Sequence, residues 1–281
     1  MKIKLICDSL CDIPKEIKDK DYVDIVPLTI IFNDKEYKDN IDLSNEQYYK
    51  MLRSSENLPK TSQVTYIQFK EVFDKYIEEG YDILCITGAS KSSGTFQSAT
   101  IAKNDNEASD RIYVFDTMNL SLGSGQYVIK ATELIEQSLS IEDIVKELDN
   151  IRDSVKLLFV PWTLEYLKRS GRVPVATAII GNMLSIKPIF YFNNAEAEVI
   201  AKVRGSKHVA TKLVDIILEM NDNNIEDKIV TIGYGDNYHD FEKLEEEVKK
   251  RLKARRIIYA RGGSCICSHT GPDILAISCS R

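Results

Sequence analysis

The chain has no apolar run long enough to span a membrane, for which a helix needs roughly 20 consecutive apolar residues. Its first apolar run, Leu5 to Cys7, stops at Asp8, too soon for a signal peptide. Cysteine is sparse, six in 281 residues, so a disulfide framework of the secreted kind is excluded and a reduced, cytoplasmic protein is expected. Positive charge is in deficit: 37 Lys and Arg stand against 43 Asp and Glu, a net charge of −6. That balance argues against nucleic acid or an anionic membrane surface as the main partner. The phosphate-binding pattern GxxxxGK[ST] is missing, so a nucleoside triphosphate is not held in that way. So is the nucleophile-elbow pattern GxSxG: Gly88-Ala-Ser-Lys is followed by Ser. No internal repeat and no low-complexity linker occurs.

What remains is an ordinary globular balance, 43% hydrophobic and 28% charged. At about 150 residues per domain, the length suggests two domains. The stretch Tyr81 to Ala102 organises the first. Ile83 to Thr87 reads as a buried strand, Gly88 to Gly94 as a small polar loop, and Thr95 onward as a helix. A helix N-terminus with the hydroxyls of Ser92, Ser93 and Thr95 beside it is suited to an anion, or the serines simply cap the helix.

Around this unit, strands alternate with helices. Lys2 to Cys7 reads as a strand, and Asp12 as the cap of a short helix with Pro14 in its first turn. Val23 to Phe32 is strand-like, broken at Pro27, and Asn33-Asp34 suits a hairpin turn. Ser44 with Gln47, and Thr65 with Gln68, read as capping boxes, while Pro59 to Gln63 reads as a polar loop. Arg111 to Phe115 is a further strand, Leu120 to Gly125 a glycine-bearing loop, and Ser140 the cap of a helix from Ile141. This order predicts an α/β fold with a mostly parallel sheet flanked by helices over residues 1–153. Ligands of such sheets sit at the carboxyl ends of the strands, where Asp8-Ser9, the 88–94 loop and Asp116-Thr117 fall. Gly123-x-Gly125 is half a dinucleotide fingerprint and reads as a turn.

Residues 154–281 read as a smaller α+β domain. Strands are expected over Val155–Val160, Ile186–Phe192, Glu198–Val203, Ile229–Tyr234, Arg256–Ala260 and Ile274–Cys279. Short helices are expected over Trp162–Lys168 and Ala176–Leu184, with longer ones from His208 and Tyr238. His269, followed by Thr-Gly-Pro, is expected at a turn, within reach of a ligand. Cys265, Cys267 and His269 alternate, so a strand would place them on one face. Their spacing is too tight for zinc and no fourth ligand is evident, so neither metal nor cofactor is expected. Ser93 with His269, and Asp8 or Asp116 as the acid, would make a hydrolase relay. Arg172, Lys187, Arg204 and Lys207 read by themselves as surface charge.

Several short motifs nevertheless coincide in order over nearly the whole chain. They are Cys7-Asp-Ser-Leu-Cys-Asp-Ile-Pro14, Pro59-Lys-Thr-Ser-Gln63, Ser93-Gly-Thr-Phe-Gln-Ser-Ala99 and Phe115-Asp-Thr117. They continue as Tyr166-Leu-Lys-Arg-Ser-Gly-Arg172, Ile186-Lys-Pro-Ile189 and His269-Thr-Gly-Pro272. In these the chain resembles the DegV family, whose characterised members are fatty-acid-binding subunits of bacterial fatty acid kinase. The resemblance implies a buried acyl chain with its carboxylate near the junction of the two domains, bound by Thr61, Ser93 and His269. Ser62, Ser92 and Gly94 would support the head-group loop. Arg172, matching the family's functional arginine, would serve phosphoryl transfer or partner docking, with Arg204 and Lys207 beside it. Two residues depart from the family pattern: Ser92 stands where Leu is usual, and Asp273, where Gly is usual, would place a negative charge near His269.

By that resemblance the chain binds a long-chain fatty acid and presents its carboxylate to a separate ATP-dependent kinase. The product, an acyl phosphate, would pass to an acyltransferase of phospholipid synthesis. Ile179, Ile180, Met183, Leu184 and Phe190 are candidates for lining the acyl pocket, or equally for plain core. Two other classes stay open on the residues alone: a Ser/His-dependent esterase, and a sensor of a small phosphorylated ligand.

Overall fold

A computed structural model describes residues 2–179 and 186–281. The first half runs β1 (Ile3–Asp8), α1 (Lys15–Lys18), β2 (Val23–Val26), β3 (Thr29–Phe32), β4 (Lys35–Lys38), α2 (Asn45–Ser54) and β5 (Lys60–Ser62). It continues with α3 (Tyr66–Glu78), β6 (Asp82–Thr87), α4 (Thr95–Asn104), β7 (Ile112–Asp116), α5 (Ser121–Glu136) and α6 (Ile141–Asn150). The second half runs β8 (Lys156–Pro161), α7 (Glu165–Ser170), β9 (Ile186–Asn193), β10 (Glu196–Arg204) and α8 (Val209–Glu219). It closes with β11 (Ile229–Tyr234), α9 (Tyr238–Arg251), β12 (Arg256–Arg261), α10 (Ser264–Thr270) and β13 (Ile274–Ser280).

Three sheets form among the described residues. A parallel sheet has the order β2-β1-β6-β7, a small antiparallel one β4-β3-β5, and a larger mixed one β10-β9-β8-β13-β11-β12. Every residue of β1 and β6 is buried, as a parallel strand with helices on both faces requires. Ile83 and Cys85 join the apolar cluster that holds Phe69 and Phe73 of α3, whereas Leu84 and Ile86 join the cluster under α5 and α6. The α/β class expected from the alternation is the one that forms, with an α+β second half.

Alternation also decides what the mixed sheet does. Leu158, Val160, Ile189, Tyr191 and Ile277 face α8 and α9, forming a core with Leu213, Ile217 and Leu244. Leu157, Phe159, Phe190, Phe192 and Ala276, one residue out of phase, point to the opposite side, toward the first half of the chain. Phe159 and Phe190 stack there at 5.0 Å. One face of this sheet is thus sealed by helices, and the other is available to a cavity.

Local rules hold where the contacts are local. Both capping boxes form, Ser44 with Gln47 and Thr65 with Gln68, and Asn33 and Asp34 turn the hairpin with φ of 50° and 61°. Three expectations fail. Asp12 caps no helix; Pro14 stands at the N-cap of α1, and the Asp12 carboxylate accepts from Ser121 Oγ at 2.5 Å and from Gly263 N–H at 2.8 Å. Residues Lys60–Ser62 are a strand, paired with β3, not a loop. Gly123 and Gly125 lie inside α5; a Cβ on Gly125 would stand 2.8 Å from the Asp12 carbonyl, so the glycine admits a close helix–loop approach. Of the helix expected over Ala176–Leu184, the first three residues fall in a 3-10 turn, Pro174–Ala178, and residues 180–185, with the pocket candidates Ile180, Met183 and Leu184, lie outside the described residues.

Candidate functional site

The two halves of the chain meet around a cavity of about 500 Å³. Its apolar wall comes from the free face of the mixed sheet, with Leu157, Phe159 and Phe192, and from Leu10, Leu28 and Leu167. Its polar residues include Thr61, Ser62, Ser92, Ser93, Arg172 and His269. Six of the nine residues singled out in the sequence for ligand or partner are therefore on this list, and Gly94 is a seventh. Arg204, at the end of β10, and Lys207, before α8, do not line it. Phe190 and Ile179 belong to the surrounding core instead.

Each polar residue is placed by its own element. β5 pairs with β3 and sets Thr61 opposite Ile30. Thr61 Oγ1 lies 2.8 Å from His269 Nε2, joining residues 208 positions apart. His269 occupies the last turn of α10 and not a free turn or a strand, so Cys265, Cys267 and His269 do not share a strand face. Cys265 and Cys267 are buried, and Cys267 Sγ accepts from Tyr49 OH at 3.0 Å. Ser93 Oγ pairs with Thr95 Oγ1 at 2.8 Å, at the start of α4. Gly94 admits the Gln63 side chain, whose Oε1 would be 2.0 Å from a Cβ there, and Gln63 Nε2 also donates to Ser98 Oγ.

The 88–94 loop is held by two carboxylates. Asp8 accepts from Gly88 N–H at 3.1 Å and Leu10 N–H at 2.9 Å. Asp116 accepts from Ser90 N–H at 3.2 Å and Met118 N–H at 2.9 Å. Burial pushes Asp8 up to about 7 despite these donors. The acids are thus engaged with backbone amides and His269 with Thr61, so no serine–histidine–acid relay is assembled among the described residues, contrary to the hydrolase arrangement.

Burial, and next the positive charge of Arg172, push His269 down to about 4, so the ring is neutral at pH 7. Its Nδ1 is buried and has no hydrogen-bond partner among the described residues. Asp273, expected to bring a negative charge near His269, is paired with Arg53 at 2.6 Å, and the causes that act on His269 are burial and Arg172. Arg172 is exposed, donates to the Ser170 carbonyl at 2.9 Å, and has no carboxylate partner among the described residues. The arrangement offers hydroxyl and imidazole donors beside an uncompensated guanidinium, above a wide apolar wall. That is chemistry for an anionic head on an apolar body.

A family model described as "Uncharacterised protein, DegV family" matches residues 2–281. The chain belongs to the DegV family. A DegV domain-containing protein of Caldanaerobacter subterraneus subsp. tengcongensis is 33% identical over 276 residues, covering 98% of each chain. Among solved structures, a fatty-acid-binding DegV family protein from Thermus thermophilus is 29% identical with a TM-score of 0.91, covering 100% of this chain and 99% of that one. DegV of Bacillus subtilis, a fatty acid binding protein, is 28% identical with a TM-score of 0.86 over 100% and 99%. No helix among the described residues of this DegV chain is long and apolar enough to cross a membrane.

Proposed function

We propose that this DegV chain binds a long-chain fatty acid in the 500 Å³ cavity and presents its carboxylate to a separate ATP-dependent kinase. One observation carries the reading: a single cavity joins an apolar sheet face to hydroxyl, imidazole and guanidinium groups drawn from distant segments. The fatty-acid binding of the Thermus and Bacillus relatives supports it. The acyl tail supplies the affinity, at about 0.8 kcal/mol per buried CH₂, or on the order of 10 kcal/mol for a long chain before binding costs.

Thr61 and Ser93 bind the head group directly and His269 acts on it through Thr61, with Ser62, Ser92 and Gly94 shaping the loop beneath it. A neutral His269 donates from Nε2 to Thr61 Oγ1, which frees the Thr61 hydroxyl proton for the carboxylate. Residues 1–153 contribute Thr61, Ser93 and part of the acyl wall with Leu10 and Leu28, and residues 154–281 contribute the rest of the wall and His269. Arg172 balances charge during phosphoryl transfer, and Arg204 and Lys207 dock the partner. The acyl phosphate then leaves for an acyltransferase. The protein works in the cytoplasm, a setting suited to its six free cysteines.

Mass spectrometry of an organic extract of the freshly purified, denatured protein tests this first. Near-stoichiometric fatty acid is expected. A phosphate-containing compound without lipid would replace the reading with a sensor, and cleavage of a chromogenic ester lost on changing Ser93 or His269 would replace it with a hydrolase.

A further inference from the structure

The cavity between the two halves carries more positive charge than a fatty acid uses. Among its described lining residues two side chains are formally charged, Lys91 and Arg172; both are cationic, and none is acidic. His269 is neutral at pH 7 and does not change that balance. Asp8 and Asp116, the acids that hold the 88–94 loop, accept from backbone amides and do not line the cavity. A bound carboxylate therefore brings one negative charge to two positive ones. The second cation is answered from outside: Lys91 Nζ lies 3.0 Å from Glu196 Oε1, and Glu196 is not among the lining residues.

Both members of that ion pair are held by backbone contacts. Lys91 stands on the turn that leads into Ser93, closed by the Ser92 and Ser93 N–H groups donating to the Ala89 carbonyl at 3.0 and 3.1 Å. Glu196 opens β10, directly after a hairpin tip at Asn194 and Ala195 with φ of 48° and 62°. Ala195 N–H donates to the Met118 carbonyl at 2.7 Å. Met118 N–H in turn donates to Asp116, which also accepts from the N–H of Ser90, the neighbour of Lys91. The contacts Ser90–Asp116–Met118–Ala195 and Glu196–Lys91 close a ring between the head-group loop and the tip of the β9–β10 hairpin.

In this ring the ion pair is the link that can open without moving the backbone. Its side chains are 55% and 78% exposed, and an exposed pair of this kind adds little to stability. Lys91 thus exchanges its partner at small cost, while the other links keep the loop and the hairpin tip in place.

We propose that Lys91 is a second cation of the head-group site, held on Glu196 while a carboxylate is bound and passed to the phosphate once an acyl phosphate forms, a role that rests on the fatty-acid function proposed above. In the transfer step a carboxylate oxygen bonds the terminal phosphorus of the kinase's ATP. The bond from that phosphorus to the bridging oxygen breaks, and its electron pair leaves with ADP. A phosphate monoester carries about −1.5 to −2 charges at pH 7, against one on a carboxylate. At equal distance it attracts Lys91 up to about twice as strongly as Glu196 does. With Arg172, the cavity then matches two positive charges to a phosphate dianion on a long apolar chain.

Displacement of a fluorescent fatty acid from the full-length protein, with hexadecanoate and hexadecyl phosphate as competing probes, tests this. The alkyl phosphate stands in for the acyl phosphate because its ester bond survives the measurement. Lys91→Ala should weaken hexadecyl phosphate about tenfold and hexadecanoate less than about twofold. Lys91→Arg should restore most of the lost affinity. Glu196→Gln, by freeing the lysine, should tighten hexadecyl phosphate about threefold, and the gain should vanish when Lys91→Ala is added. Equal weakening of both probes by Lys91→Ala, or looser phosphate binding in Glu196→Gln, would give the pair a purely structural role and overturn the inference while the fatty-acid function stands. Binding of neither probe by the unaltered protein would overturn both.

Discussion

The cavity between the two halves and a smaller one of about 310 Å³, lined by Ser9, Cys11, Asp12, Lys18 and Asp39, differ in how they handle charge, although both touch the segment Ser9–Asp12. The first holds hydroxyls, a neutral imidazole and an exposed arginine against an apolar sheet face. The second holds buried carboxylates against an exposed lysine. In the first, the protein keeps its buried groups uncharged, so the charge of an anionic ligand meets donors without competition. In the second, the protein itself carries the buried negative charge, and burial raises the Asp12 pKa to about 6. The difference lies in which side chains carry charge into the low-dielectric space.

The largest test removes the first cavity's floor. Phe159→Ala deletes a ring that is 6% exposed and stacked on Phe190, and should cost about 3–5 kcal/mol in denaturant unfolding along with most fatty-acid affinity.

Titration should separate the two by sign. His269 is lowered from 6.5 to about 4, so the unfolded chain binds its proton more tightly, and stability falls as pH drops from 6.5 to 4. Asp12 is raised from 3.8 to about 6, so the folded chain binds its proton more tightly, and stability falls as pH rises from 3.8 to 6. Each effect is on the order of 1–3 kcal/mol. In melts across this range, His269→Gln should remove the first dependence and Asp12→Asn the second. Slopes of the same sign would erase the contrast.

Thr61→Ala and Ser93→Ala should each weaken fatty-acid binding about tenfold, the scale of one hydrogen bond to a charged group. Unchanged affinity in both, measured by titration calorimetry, would remove them from the head group. The smallest effect on binding is expected from Arg172→Ala, which should spoil phosphorylation by the kinase partner while fatty-acid affinity stays near wild type. Full turnover would take Arg172 out of the transfer step.

The parts of the site that were legible in the sequence are those on local structure. The strand–loop–helix around Ser93 follows from a buried apolar run, a small polar loop and a helix start, all within 22 residues. Thr61 and the role of Arg172 rest on family resemblance, since a lone threonine or arginine has no periodicity to mark it, whereas His269 is marked by the Thr-Gly-Pro that follows it. Lys60–Ser62 reads as a loop because a three-residue polar edge strand exists only through its pairing with β3. Asp12 reads as a helix cap because its real partners, Ser121 and Gly263, lie 109 and 251 residues away. The second cavity carried no signal, because its acids are scattered through ordinary surface-like sequence.

The sequence by itself determined the α/β alternation, the capping boxes, the hairpin and the family, because each depends on neighbours along the chain or on motif order. Only the tertiary structure decided which face of the mixed sheet stays free, that Thr61 meets His269, that Arg53 rather than His269 answers Asp273, and that Asp39 is buried with an oxygen to spare. Those outcomes depend on the burial and proximity of residues distant in sequence, and both come into being only when the elements pack.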